Sequence, residues 1–451
     1  MYKVNNYILK LPSFHLKTFS FIFAIKKLKK TVLNKIKVTN FTLKLFPILI
    51  CVVFLFPVLK ENISSFCVVL LGLNLVVYKI TAKDYSLIRF KELLLTIPFW
   101  IILIASFFSS DLKISQIHVQ HALFFLVVPV IFLLIPKEFF SLKKINIYLS
   151  VLNNTCLLIT LIYFASYFQN ISFWKFKLGY YEYSDFREYI YYEFKAFKIH
   201  PTYFSFILIL CTAYSYELVL KQKKYLHLVY VVVFIIIVFL LLTKLSIVLL
   251  VCWLLFMTFF RSSLTLNYQI ILCLSVVILL ALLIVYVPGI SIRFVETINS
   301  FNIKPKDLAY DSTNVRKAIL DCDLKLAKEN WFSGIGYENL QNGLNNCYKS
   351  SYNSSFYINH DYMTHNYYLY TLISSGILGF GFYLVYLINL IKISFKKNMF
   401  LFNLLIINTI IICFTEDYFY RQHGVLYFNL LLMIFIRSNK SKRSSSIEGG
   451  I

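Results

Sequence analysis

Glycine is scarce, with twelve in 451 residues, and six of the twelve fall between Gly334 and Gly381. A residue so rare elsewhere marks a stretch whose backbone needs conformations that other residues resist. Metal-site spacing is missing too. The nine cysteines form no CxxC pair and no Cys/His ligand pattern, which excludes the familiar zinc and dithiol motifs. Seven of them lie in apolar runs and read as small buried residues. Only Cys322 and Cys347 share a polar interval, where an oxidising compartment can join them.

Acid is also short. Asp and Glu total 21 against 45 Lys and Arg, a formal net charge of +24. On a soluble domain that surplus would suggest nucleic acid, but here the basic residues sit between apolar runs, where orientation in a membrane requires them. No nucleic-acid partner is expected. The first 44 residues hold ten lysines and no acid, centred on Lys26-Lys27-Leu28-Lys29-Lys30. No small-residue cleavage site follows a short apolar core there, so residues 1–44 read as a cytoplasmic, lipid-facing basic segment rather than a removed signal.

What the chain has in abundance is apolar surface: 59% hydrophobic and 18% aromatic residues, against the ~45–50% apolar content of soluble domains. The fold class is therefore an all-α polytopic membrane protein. Runs long enough to cross, about 17–25 residues, recur near 43–59, 64–80, 93–109, 117–135 and 147–168, then near 201–220, 226–242, 244–260 and 269–287, and finally near 366–391, 399–415 and 424–437. The apolar stretch from 226 to 260 is too long for one crossing and is divided at Thr243-Lys244. The result is about twelve helices, with one large outer loop at 288–365 between the ninth and tenth, a smaller one at 169–200, and an inner tail at 438–451. Charge supports this frame. Short inner loops carry Lys83, Arg89 and Lys91, or Lys221, Lys223 and Lys224, whereas the 288–365 loop balances eight basic against eight acidic residues.

In this frame His200, Lys244, Arg293, Arg316, His365, Glu416 and Arg421 collect at the outer face. Cations at outer span ends run against the positive-inside trend, and an anionic phosphate head group is one reason for them. Snorkelling or pairing with a loop carboxylate is the alternative. His365 is the sharpest candidate. It stands at the start of the helix after the large loop, where the helix dipole disfavours imidazolium and leaves a neutral ring suited to a general base. The same helix start would offer unpaired N–H groups to an anion. The competing reading is that His365 caps its own helix beside Asn366. The small residues of Ser374-Ser375-Gly376-Ile377-Leu378-Gly379-Phe380-Gly381 read as a close helix-packing face. Asp321-Cys322-Asp323 sits in a predicted helix over Val315–Lys328, where residues two apart face different ways and do not share an ion. No metal and no cofactor are expected.

The order Arg316, Asn330-Trp331-Phe332-Ser333-Gly334-Ile335-Gly336-Tyr337-Glu338-Asn339, then Thr364-His365-Asn366-Tyr367-Tyr368-Leu369 and Gly376-Ile377-Leu378-Gly379, resembles the O-antigen ligase and polymerase family over about residues 228–388. His200-Pro201-Thr202-Tyr203, Thr415-Glu416-Asp417 and Gln422-His423-Gly424 are similar to it as well. The resemblance implies a metal-independent, inverting glycosyltransferase of the C type in the bacterial cytoplasmic (inner) membrane, with its site under the large periplasmic loop. It implies an undecaprenyl-pyrophosphate-linked glycan as donor. The acceptor it implies is lipid A core for a ligase, a second lipid-linked glycan for a polymerase, or a protein hydroxyl for an O-oligosaccharyltransferase. Carried over, His365 matches the loop histidine proposed as base and Arg316 a loop arginine near the pyrophosphate. Lys244 falls where members often have arginine, and so lacks the bidentate fork. A flippase or transporter for the same lipid-linked glycans is the rival from another class. It would carry ionisable or helix-breaking residues at mid-span, and these spans are nearly free of charge there.

Overall fold

A computed structural model describes residues 35–109, 111–170, 186–194, 199–261, 265–286, 298–300, 312–352, 357 and 360–439. Arg293 lies outside them. The long described elements are helices. Backbone polar groups inside a bilayer have no water to bond, so apolar runs of this length close their hydrogen bonds within themselves.

Among the described residues, nine apolar helices precede the large loop: α1 Lys35–Val53, α2 Glu61–Ala82, α3 Phe90–Phe107, α4 Leu112–Leu134, α5 Leu142–Asn170, α6 Pro201–Gln222, α7 His227–Leu240, α8 Lys244–Phe260 and α9 Leu266–Tyr286. The loop contributes two amphipathic helices, α10 Ser312–Asn330 and α11 Leu340–Ser351. Three further apolar helices follow, α12 Tyr367–Lys397, α13 Phe400–Ile412 and α14 Gln422–Arg437. Seven of these helices are long and apolar enough to cross a membrane. Five further apolar segments, α7, α8, the Leu266–Leu279 part of α9, α13 and α14, stand where further spans are expected from sequence.

The chain turns between α7 and α8 at the expected place. Leu242 adopts a left-handed conformation (φ 51°), and Thr243 is extended ahead of Lys244, the first residue of α8. Helix α6 forms the centre of the bundle, with 89% of its apolar window buried. It packs against α5, α7, α8 and α13, and so holds His200, its N-cap, at the end of a buried helix.

Helix α12 joins loop to membrane. It is interrupted at Gly376 (φ 64°, ψ −171°), which leaves the carbonyls of the preceding turn without helical partners. The loop segment Phe332–Gly336 fills the gap. Ile335 N–H donates to Ile373 O at 2.8 Å, Gly336 N–H to Ser374 O at 3.1 Å, and Ile377 N–H returns to Phe332 O at 3.3 Å. The glycines are needed because the backbones are so close. A Cβ on Gly376 would stand 2.2 Å from Phe332 O, and one on Gly334 (φ 75°) 2.6 Å from Gly376 N. The small-residue stripe therefore serves mainly as a break that receives the loop, a correction to the helix-packing reading; only Gly379, whose Cβ would meet Ile101 of α3 at 3.1 Å, keeps a packing role. Beneath this joint Tyr337 packs on Tyr370 (centroids 5.3 Å apart) and His118 (5.8 Å).

Candidate active site

The starts of α6, α8 and α12 and the α13–α14 connection converge with the first turns of α10. Glu416, in that connection, is 9% exposed and has a partner on each side. Arg316 Nη2 donates to its Oε1 at 2.6 Å, and His365 Nδ1 lies 3.2 Å from its Oε2. Two residues of the loop, 49 apart in sequence, are thus held on one buried carboxylate. The hydrogen bond to His365 and the charges of Arg316 and His365 outweigh burial and hold the Glu416 carboxyl down, at about 2. An ionised carboxylate only accepts, so the His365 proton sits on Nδ1 and leaves Nε2 to accept.

Burial lowers the His365 pKa, but the bond to Glu416 and the negative charges of Glu416 and Asp417 raise it further, and the net direction is upward. The expectation of a ring kept neutral by the helix dipole is corrected on this point. The carboxylate contact is nearer and stronger than a dipole felt mainly in the first turn.

His365 is not the helix cap either. Asn366 is the N-cap, its Oδ1 accepting from Tyr368 N–H at 3.0 Å and Leu369 N–H at 3.1 Å. His365 stands one residue outside with φ 45°, in a region L residues rarely occupy. Asp417 holds it there. This buried carboxylate accepts from His365 N–H at 2.8 Å, from Asn366 N–H at 3.1 Å and from the Thr364 hydroxyl. Tyr367 N–H meanwhile donates to Cys413 O at 2.8 Å. The first-turn N–H groups are all engaged, so the expected open anion cradle at this helix start is absent among the described residues.

Capping falls instead to the other histidine. His200 Nδ1 accepts from Thr202 N–H at 3.3 Å at the start of α6. Burial is the main force that pulls its pKa down to about 3, which agrees with a neutral ring accepting at Nδ1.

Two cavities open on this face. The first, about 350 Å³, is lined by Arg187, Lys244, Arg316, Lys317, Glu416 and hydroxyls including Thr313 and Ser246. Four cations and one carboxylate share it. Lys244 Nζ reaches Thr313 Oγ1 at 3.4 Å, which brings the lysine of α8 to the first turn of α10. His365 is not part of this lining and touches the cavity through Glu416. The second cavity, about 550 Å³, takes His200 and Arg421 instead. The candidates read from sequence therefore divide into an Arg316–Glu416–His365 group with Lys244 and a separate His200–Arg421 group.

Asp417, Arg187 and Lys317 were not singled out from sequence. Asp417 directly follows Glu416 in a motif already noted, and that adjacency was the available signal. Arg187 lies in a tyrosine-rich interval whose spacing gives none. Behind the site, Cys322 of α10 and Cys347 of α11 are joined by a disulfide. Asp321 faces outward to Tyr352 Oη at 2.8 Å and Lys325 at 2.9 Å, whereas Asp323 is fully buried. No group of three or more potential metal ligands occurs among the described residues.

Residues 207–384 match the family model described as O-antigen ligase. The match takes in Lys244, Arg316, His365, Asn366 and the Gly334–Gly376 joint; His200, Glu416 and Arg421 lie outside it. A comparison with curated proteins gives no match.

Proposed function

From the O-antigen ligase domain at residues 207–384, we propose that this chain is a membrane glycosyltransferase that moves a glycan from an undecaprenyl-pyrophosphate carrier to an acceptor hydroxyl. The site lies at the outer face of the bacterial cytoplasmic membrane, under the 288–365 loop, in a bundle of about twelve crossings. Nine of these precede the loop and three follow it, with the Cys322–Cys347 disulfide on the oxidising side. The observation that carries this reading is Glu416 bridging Arg316 and His365, 2.6 Å from one and 3.2 Å from the other. It ties a histidine able to accept a proton to the wall of a cavity lined by four cations.

The chemistry follows from the charges. The acceptor oxygen attacks the anomeric carbon, its proton passes to Nε2 of His365, and the bond from that carbon to the phosphate oxygen breaks. Attack from the side opposite the leaving group inverts the anomeric centre. Glu416 keeps the Nδ1 proton in place and stabilises the imidazolium as it forms, a role that requires no proton transfer to the carboxylate. Pyrophosphate leaves with growing negative charge, and Arg316, Lys244, Arg187 and Lys317 are positioned to stabilise it in a largely apolar surrounding. The ion pair to Glu416 occupies one edge of the Arg316 guanidinium, whose side chain is 48% exposed.

The test is transfer from an undecaprenyl-pyrophosphate glycan by the purified chain in lipid nanodiscs. His365→Ala is expected to lower the rate by roughly 10²- to 10⁴-fold, the range for a general base, with the protein still folded and inserted. Full activity in His365→Ala or in His365→Asn would end the base assignment. Transfer is expected to persist in chelator, and the identity of the labelled product (lipid A core, a second carrier-linked glycan or a protein) names the acceptor class.

A further inference from the structure

The cavity that the donor reading leaves unused is the larger of the two on this face, about 550 Å³. That size falls within the roughly 300–1,000 Å³ typical of small-molecule pockets. Its lining holds two cations, Lys60 and Arg421, against four in the other cavity, and adds a carboxylate and three histidines. Glu61 at the start of α2 and His423 in the first turn of α14 are in hydrogen-bonding contact within it, Glu61 Oε1 against His423 Nδ1. His121, His200, Asn62 and Tyr191 add donors, acceptors and an aromatic face over a floor of Pro57, Leu59 and Ile199. His121 Nδ1 is buried with no hydrogen-bond partner among the described residues.

Beside Lys60 and Arg421, a carboxylate, imidazoles, the amides of Asn62 and Gln422 and a tyrosine ring with an apolar floor match a ligand rich in hydroxyls, each of which both donates and accepts. The cavity also lies against the other one. His200 lines this cavity and Thr202, two residues on, lines its neighbour; Arg421 lines this one and Glu416 its neighbour. His200 lies within electrostatic range of Glu416, Arg421, Arg187 and His365.

We propose that this second cavity, built around the Glu61–His423 pair, binds the terminal sugar of the acceptor and presents its hydroxyl to the His365–Glu416 pair from the side opposite the cationic cavity. This rests on the glycosyltransferase reading above. It adds a binding role for α2 and α14, neither of which lies within the matched domain.

The test uses the full-length chain with two cavity variants, Asn62→Trp to fill the space and Glu61→Gln to remove the charge while keeping the shape. Glycan transfer from an undecaprenyl-pyrophosphate donor is followed in native membrane vesicles, which contain the acceptor. Binding of undecaprenyl pyrophosphate alone is measured on purified protein in nanodiscs. Transfer is expected to fall at least about tenfold in both variants, since a site built to hydrogen-bond substrate hydroxyls discriminates strongly when one of its polar groups is lost, with undecaprenyl pyrophosphate binding within about twofold of the parent. Transfer unchanged in Glu61→Gln and Asn62→Trp overturns the acceptor assignment. If the tryptophan variant loses undecaprenyl pyrophosphate binding as well, Glu61→Gln decides: lost transfer with retained binding supports the proposal, and any other result rejects it. Arg316→Ala tests the donor reading separately, since retained undecaprenyl pyrophosphate binding there rejects that reading whatever the cavity variants do.

Discussion

At the scale of single residues, the site is a set of opposed charges whose signs predict how pH acts on it. Glu416 raises the His365 pKa and Arg316 lowers it, while burial lowers it more than any other single influence. Replacing Glu416 by Gln therefore lets burial dominate, and the acid limb of kcat/KM should move to lower pH. The plateau should fall by roughly tenfold or more as the forming imidazolium loses its partner. Arg316→Ala should shift the same limb to higher pH. A limb that stays in place in both variants would show that His365 is not the titrating group. Asp323 gives a stability forecast instead. It is fully buried, neither carboxylate oxygen has a partner among the described residues, and burial pushes its pKa up to about 9. Because the folded value lies above the unfolded one, its contribution is fully present below about pH 4 and is lost as pH rises to about 9. Asp323→Asn should match the parent in thermal midpoint at acid pH and exceed it increasingly toward alkaline pH. The opposite orientations of Asp321 and Asp323 were legible in sequence, because helical spacing alone turns residues two apart to different faces. The left-handed His365 was not legible, because its cause is a carboxylate 52 residues away at Asp417.

Among elements, helices of the membrane were readable wherever the apolar run was long, and so was the division at Thr243-Lys244, where one run exceeded a single crossing and α8 begins. The break in α12 was not readable. A glycine pattern on an apolar helix signals packing against another helix in most settings, and only the partner backbone at Phe332–Gly336 shows that Gly376 works otherwise. The difference is measurable by comparing two glycines of one helix. A Cβ at Gly376 would enter the loop backbone at a positive φ, whereas one at Gly381 would meet nothing within 4 Å. Gly376→Ala is expected to destabilise by more than about 1 kcal/mol, beyond the usual gain or loss for such a change at a tolerant site, and to release the loop for proteolysis near Trp331. Gly381→Ala should behave as the parent in both thermal unfolding and proteolysis. Equal behaviour of the two variants would mean that the joint does not hold the loop.

For the molecule as a whole, the alternation of apolar helices sorts the polar chemistry by face. The two cavities described above take residues from the starts of α2, α6, α8 and α14 and from the loop helix α10. A third cavity, of about 320 Å³, takes residues from the opposite ends: Leu142 at the start of α5, Lys221 at the end of α6, Arg261 after α8 and Phe400 at the start of α13. There Glu217 pairs with both Lys221 and Arg261, so the surplus of positive charge at that end is partly structural. Counting spans from an inner start puts Lys221 and Arg261 inside and the balanced 288–365 loop outside, and the charge of the short connections agrees with that frame. Which cations at the face of that loop belong to one site was beyond such a count, since Arg187 in the 169–200 interval, Lys244 at the start of α8 and Arg316 on α10 come together only in the folded chain. The orientation itself can be tested at Glu329, an exposed residue near the end of α10. Glu329→Cys should react with a membrane-impermeant thiol reagent in intact spheroplasts, while Lys223→Cys, at the exposed end of α6, should react only after lysis. The reverse pattern would put the Arg316–Glu416–His365 group in the cytoplasm, and a periplasmic transfer reaction could not then take place at it.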